Sequence, residues 1–328
     1  LVGSEMCIRD SIRSTMNMKI AVAGAGAMGG RVGTQIQKAG YDVTFIDSWL
    51  PHVEAVQKHG FEIQTETETY QVDATMITPE EVNDQYDLVI ILTKAMQSVE
   101  MLQKLKDKGA ITKDTAVLTM MNGLGHDERF KQVVPEEQIY LAVTMWTAGL
   151  RGPGKLLLEG VGTVDFQRVD GKESERTREI NQVFEDAGLN PTISHQIMQT
   201  VWLKAALNSV VNPLCTILDK RIVDFAAYEN SREMITPIIR EIVDAAAAKG
   251  VEVDFDTIVH KIEGSYPVET QGLHHPSMHQ DLYSGRLTEV DYLNGQVEEY
   301  GQEFGIPTPN NTMLKHLVHQ LEMTHVKA

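Results

Sequence analysis

Cysteine is nearly missing from this chain: two residues, Cys7 and Cys215, in 328. Two cysteines make no disulfide framework, and neither has metal-ligand spacing, so a reducing cytoplasm is the expected compartment. No apolar run approaches the roughly 20 residues needed to span a membrane. Positive charge is also in deficit. Lysine and arginine number 29 against 46 aspartates and glutamates, a formal net charge of −17. With no dense basic patch to offset that charge, nucleic acid and anionic membrane are excluded as partners. Hydrophobic residues make up 42%, enough for ordinary buried cores, and the length suits two domains.

Leu1 to Thr15 carries no useful apolar periodicity and no signal-peptide core. Met6-Cys7-Ile8-Arg9-Asp10-Ser11 reads as a translated sequencing-adapter fragment, with a natural start at Met16 or Met18. The alternative is a disordered tail. Either reading leaves residues 1–17 outside the fold.

What is present is organised around Gly24-Ala25-Gly26-Ala27-Met28-Gly29. This G-x-G-x-x-G follows the apolar run Ile20 to Ala23 and precedes a helix-like segment. The first glycine permits a sharp turn, the second lets a pyrophosphate approach the backbone, and the third lets helix and strand pack closely. A second strand, Asp42 to Ile46, ends in Asp47, about 20 residues past the glycines, where an acid can bind a ribose 2′-hydroxyl. A dinucleotide, NAD(P)H, is the expected cofactor.

Further on, Pro51 to His59 reads as a helix closed by Gly60, and Phe61 to Met76 as a small exposed hairpin. Asp87 to Leu92 is a continuous apolar run, as expected of a buried parallel strand. Ala116 to Met120 and Ile139 to Val143 are further strands. Strands alternating with helices predict a doubly wound parallel sheet with ligands at its carboxyl ends. Lys94 and Asn122 lie just past two such ends. Taken alone, a solvated lysine and a turn asparagine would be the simpler accounts. Ala148 to Phe166 reads as antiparallel hairpin material extending the sheet. The domain change falls close to His195.

The second half is helical almost throughout. Lys204, Asn208 and Asn212 stand at i, i+4 and i+8, on one face of a helix whose other residues are mostly apolar. Such groups are costly in a buried stripe unless paired, which points to a polar pocket; the plainer account is a helix edge at the surface. Ser277 with Gln280 fits a helix capping box. His274, His275 and His279 lack an acidic or cysteine partner at ligand spacing and read as loop histidines, so no metal is expected. Glu289 begins the next helix, where its charge suits the dipole.

In this order and spacing the pieces resemble the ketopantoate reductase (2-dehydropantoate 2-reductase) family. The matching motifs are Gly24-x-Gly26-x-x-Gly29, Lys94-Ala95-x-Gln97, Asn122-Gly123-x-Gly125, Trp202-x-Lys204-x-x-x-Asn208-x-x-x-Asn212-Pro213, Ser277-Met278-x-Gln280-Asp281 and Thr288-Glu289-x-Asp291-Tyr292-x-Asn294-Gly295. They run from Lys19 to about Thr312. The resemblance implies an N-terminal Rossmann domain over 18–195, an all-helical substrate domain over 196–328, and a site in the cleft between them.

It also implies roles. Lys204 would donate the proton to a keto oxygen, and Asn208 and Asn212 would hold the substrate, with Ser277 on its carboxylate. Asn122 would touch cofactor and substrate, Lys94 the cofactor, Ala148 would offer its backbone, and Glu289 would close the site near the ribose and Lys204. Two departures from the family's pattern matter. Asp47 stands where NADP-using members usually carry a cationic residue, which favours NADH. Ile222 stands where the family often has another asparagine, which suits a substrate lacking pantoate's hydroxymethyl group. The leading expectation is a reductase of a branched 2-oxo acid. The alternatives are an NAD-dependent D-2-hydroxyacid dehydrogenase and a non-catalytic NAD(H) sensor. The long apolar helices would serve a monomer or a homodimer alike.

Overall fold

The computed structural model describes residues 18–326; the tail predicted over 1–17 lies outside that range. Contacts divide the chain into two compact units. One holds the described residues up to Met121 together with His126–Ile197, and the other holds Asn122–Gly125 and the residues from Met198 on.

The first unit is built on β1 (Lys19–Ala23), α1 (Ala27–Lys38), β2 (Asp42–Ile46), α2 (Leu50–His59), β3 (Phe61–Gln64), β4 (Thr69–Val72), β5 (Thr75–Ile77) and β6 (Leu88–Ile91). It continues through α3 (Ser98–Asp107), β7 (Ala116–Thr119), α4 (His126–Lys131), β8 (Ile139–Thr144), β9 (Thr147–Gly152), β10 (Lys155–Glu159), β11 (Val164–Arg168), α5 (Glu175–Asp186) and β12 (Pro191–Ile193). Eight strands form one sheet in the order β12-β11-β8-β7-β6-β1-β2-β5. Strand β1 lies parallel to both β2 and β6. Its alternate residues feed two separate cores, Ile20 and Val22 into one and Ala21 and Ala23 into the other. A strand buried on both faces reads as a continuous apolar run, and that is why the period-2 signal is missing here. The doubly wound parallel sheet is thus present as expected.

Two hairpin expectations need correction. Strands β9 and β10 do not extend the main sheet; they join β3 and β4 in a second, four-stranded sheet, and only β11 and β12 continue the first. Nor is the Phe61–Met76 segment simply exposed. Phe61 and Ile63 are fully buried, and its last residues form β5 at the edge of the main sheet. Packing decides the outcome. Leu156 of β10 fits where a Cβ on Gly30 of α1 would stand, 2.7 Å from its side chain, so the hairpin's apolar face is consumed by α1.

The second unit contains α6 (Ile197–Ile217), α7 (Ile222–Ala226), α8 (Ser231–Ala248), α9 (Phe255–Glu263), α10 (Ser277–Tyr283), α11 (Asn294–Phe304) and α12 (Pro309–His325), with no strand among the described residues. Its core is one apolar cluster centred on Trp202, Ala206, Val210, Ile239, Ile242 and Val297. A buried polar network runs through it. Glu241 accepts from the backbone N–H of Asn310 and Asn311, each at 2.9 Å, and so supplies an anion to the N-terminus of α12. None of the described helices is long and apolar enough to cross a membrane.

Candidate active site

At the nucleotide end, the three glycines separate by role. Gly24 has φ +90°, and a Cβ there would lie 2.3 Å from the Thr93 nitrogen. The turn is therefore pressed onto the chain just past β6, beside Lys94. A Cβ on Gly29 would meet the Gly24 carbonyl at 1.9 Å. Gly26 is the opposite case, since a Cβ would meet nothing within 4 Å. Gly26, Ala27 and Met28 are partly exposed, while their neighbours on either side are buried. Gly26 caps α1 without any side-chain hydrogen bond. Open space in front of uncapped helix N–H groups fits a pyrophosphate.

Asp47 stands half-buried at the end of β2. Its carboxylate accepts from the Ala25 N–H at 2.8 Å and from the Trp49 N–H at 2.9 Å. The Ala25 carbonyl is 2.9 Å from Nε2 of His52, whose Nδ1 accepts from Gly154 N–H at 2.9 Å. Both backbone groups of Ala25 are thus pinned. His52 was not found by sequence reasoning, because a lone histidine in an amphipathic helix carries no signal. Arg31 was also missed. Its guanidinium is buried and donates to the carbonyls of Thr147, Glu159 and Gly160 at 2.5, 2.8 and 3.1 Å. It stacks over Trp146 at 4.1 Å, and burial holds its pKa below the ordinary value. It fastens β9, with Ala148 on it, to α1. Ala148 itself pairs with Leu158 in the second sheet.

Lys94 and Asn122 each lie three residues past the carboxyl ends of neighbouring parallel strands, β6 and β7. By its contacts the Asn122–Gly125 turn belongs to the helical unit. Leu124 N–H donates to the Tyr292 carbonyl at 2.8 Å, and Gly123, at φ +106°, leaves no room for a side chain, since its Cβ would sit 2.6 Å from that oxygen.

In the helical unit Lys204, Asn208 and Asn212 share one face of α6. Lys204 is partly buried. Burial pulls its ammonium down from 10.5 to about 8, and the charge of Glu289 acts in the opposite direction. Asn212 is 6% exposed. Ser277 is exposed at the first turn of α10. The capping box expected there is absent: Pro276 is the cap, and Gln280 donates instead to the His275 carbonyl at 2.9 Å. Glu289 precedes a single 3-10 turn, Val290–Tyr292, rather than a full helix, and α11 starts only at Asn294. Ile222 is buried in the helical core at 4% exposure, so its side chain is committed to packing.

Of the three histidines, His274 and His275 lie in a loop as expected, and His279 does not. His279 lies inside α10, buried, with Nε2 2.8 Å from Asp219 Oδ1. Its ring stacks between His275 at 4.0 Å and Tyr283 at 4.2 Å. Asp219, 60 residues away in sequence, is the acidic partner that local spacing could not reveal. Among the described residues no group of three or more His, Cys, Asp or Glu could hold a metal.

Comparison with known proteins then decides the family. The model of ketopantoate reductase PanE/ApbA matches residues 20–171, and that of its C-terminal domain matches 196–322. This chain belongs to the ketopantoate reductase family. Curated relatives named 2-dehydropantoate 2-reductase include those of Streptococcus pyogenes serotype M3, 39% identical across 93% of this chain and 98% of the relative, and of Lactococcus lactis, 37% identical with the same coverage. A solved D-mandelate dehydrogenase with NADH and anilino(oxo)acetate superposes at a TM-score of 0.89, with 38% identity over 94% of this chain and 99% of that one. Ketopantoate reductases are NAD(P)H-dependent oxidoreductases acting on a CH–OH group, so the non-catalytic sensor is set aside.

Proposed function

We propose that this chain reduces a short branched 2-oxo acid, ketopantoate foremost, to its D-2-hydroxy acid, and that it takes hydride from NADH in preference to NADPH. The observation that carries the reading is Lys204: an ammonium held near 8 by burial, on one helix stripe with two asparagine amides. Reduction of a carbonyl leaves negative charge on oxygen, which needs a positioned cation and a proton.

The nicotinamide supplies the hydride when bound. Lys204 holds a proton at Nζ and moves it to the keto oxygen as charge builds there. Glu289 keeps Lys204 cationic and reaches the ribose. Asn208 and Asn212 orient the oxo acid, and Ser277 takes its carboxylate. Asn122 touches substrate and cofactor. Residues 24–29 receive the pyrophosphate, Lys94 and the Ala148 backbone contact the cofactor, and Asp47 accepts from a free 2′-hydroxyl while repelling a 2′-phosphate. Cys215, buried and free among the described residues, suits a reducing cytoplasm.

A second reading is an NAD-dependent D-2-hydroxyacid dehydrogenase acting on other branched or aromatic 2-oxo acids. The D-mandelate dehydrogenase, similar over most of this chain, favours it. Initial rates on ketopantoate, 2-oxoisovalerate, 2-oxoisocaproate and phenylglyoxylate, each with NADH and NADPH, test both. Highest kcat/KM for ketopantoate with NADH supports the first reading; a lead for one of the others supports the second. Turnover of none of them, with cofactor bound, overturns both.

A further inference from the structure

Trp49 is the most exposed of the three tryptophans, at 44%, whereas Trp146 and Trp202 are buried. Its position is nonetheless fixed on two sides. Its backbone N–H donates to Asp47 Oδ1 at 2.9 Å. Its ring lies over the His52 imidazole, with centroids 5.4 Å apart and planes 10° from parallel. His52 cannot turn away. It is fully buried, and its two ring nitrogens are engaged by the Ala25 carbonyl and the Gly154 N–H. A large aromatic surface is therefore held rigidly and left partly in water, two residues past the acid proposed to bind the adenosine ribose.

An indole that is stacked on one imidazole and still 44% exposed has aromatic surface left for a flat partner. The base attached to that ribose is such a partner, and aromatic stacking holds a base by its π-face without reading its edges. We propose that Trp49 is the stacking platform for the adenine of the dinucleotide, held in register by His52 and Asp47. The proposal rests on the dinucleotide reading of Gly24–Gly29 and Asp47, and it adds a residue that the glycine motif does not contain.

The test uses the full chain and two readouts. With 5′-AMP as probe, tryptophan fluorescence should be quenched in the wild type and not in Trp49→Phe, since the remaining tryptophans are buried. Calorimetric Kd for NADH should rise roughly tenfold to a hundredfold in Trp49→Ala, with Trp49→Phe recovering most of the loss. The Kd of reduced nicotinamide mononucleotide, which lacks the adenosine half, should be the same in all three proteins. Binding of AMP and NADH with no quenching and an unchanged Kd in Trp49→Ala would overturn the platform and leave the cofactor reading standing. Absence of NADH binding to the wild type would overturn the cofactor reading, and the platform with it.

Discussion

The side-chain amide of Asn294 donates at 2.8 Å to the backbone carbonyl of Ser209, the acceptor whose helical partner four residues on is Pro213. Proline has no N–H, so inside α6 that carbonyl would lack its i+4 donor. Asn294 replaces it from α11. The same amide also donates to Asn311 Oδ1 at 2.9 Å, and Asn311 in turn donates to Glu241 at 2.7 Å. One side chain thus repairs the helix that carries Lys204, Asn208 and Asn212 and ties it to α8 and α12.

Asn294→Ala should therefore destabilise the fold by about 2–4 kcal/mol, because it strands two buried acceptors rather than one. Urea unfolding followed by circular dichroism reads this directly. A variant with the wild-type midpoint would show that the Ser209 carbonyl finds another donor.

Lys204→Ala should lower kcat by about 10²- to 10⁴-fold, the range of a lost general acid, with NADH affinity nearly unchanged. In the wild type, kcat/KM should be level below about pH 8 and fall above it, since only the ammonium donates and burial sets it near 8. The stability sign runs the other way. The folded-state value lies below the ordinary 10.5, so the unfolded chain binds the proton more tightly. The cost of burying the ammonium is full below about 8 and fades as pH rises toward 10.5. Lys204→Met should therefore melt at a higher temperature than the wild type at pH 7 while being inactive, an instance of activity traded against stability.

Glu289→Gln removes the charge that raises the Lys204 ammonium. The alkaline limb of kcat/KM should then move below pH 8, with kcat/KM at pH 7.5 down about threefold for the first unit of movement and roughly tenfold for each further unit, and partly recovered at pH 6. An unmoved limb with reduced kcat would mean that Glu289 acts on the substrate or ribose and not through Lys204.

These variants also mark what the sequence could reveal. The doubly buried strands, the glycine turn and the Lys204 stripe were legible because each is set by local spacing: an apolar run, a backbone conformation, a helical period. The β9–β10 hairpin was not. Its partner is chosen by Leu156 fitting against Gly30, a contact between residues far apart in the chain. His279 looked like a loop residue because Asp219 reaches it only in three dimensions. Ser277 fitted a cap by pattern, but Pro276 occupies that place and starts the helix one residue earlier. Patterns of period and turn are local, whereas partner choice among polar side chains is tertiary.

Asp47 joins both levels, and its replacement separates them. Its carboxylate accepts from Ala25 and Trp49 N–H groups, so it shapes the glycine turn as well as facing the proposed ribose. Asp47→Asn keeps one amide acceptor and loses the charge. The kcat/KM for NADH should fall about tenfold, in line with a weakened charge-assisted hydrogen bond, and that for NADPH should rise because the repulsion of a 2′-phosphate is gone. The ratio of the two should approach one. Equal loss with both cofactors would assign Asp47 to the loop alone, and an unchanged ratio near one in the wild type would remove it from cofactor choice altogether. Measuring both ratios on the same substrate separates the shape of the turn from the charge at its edge.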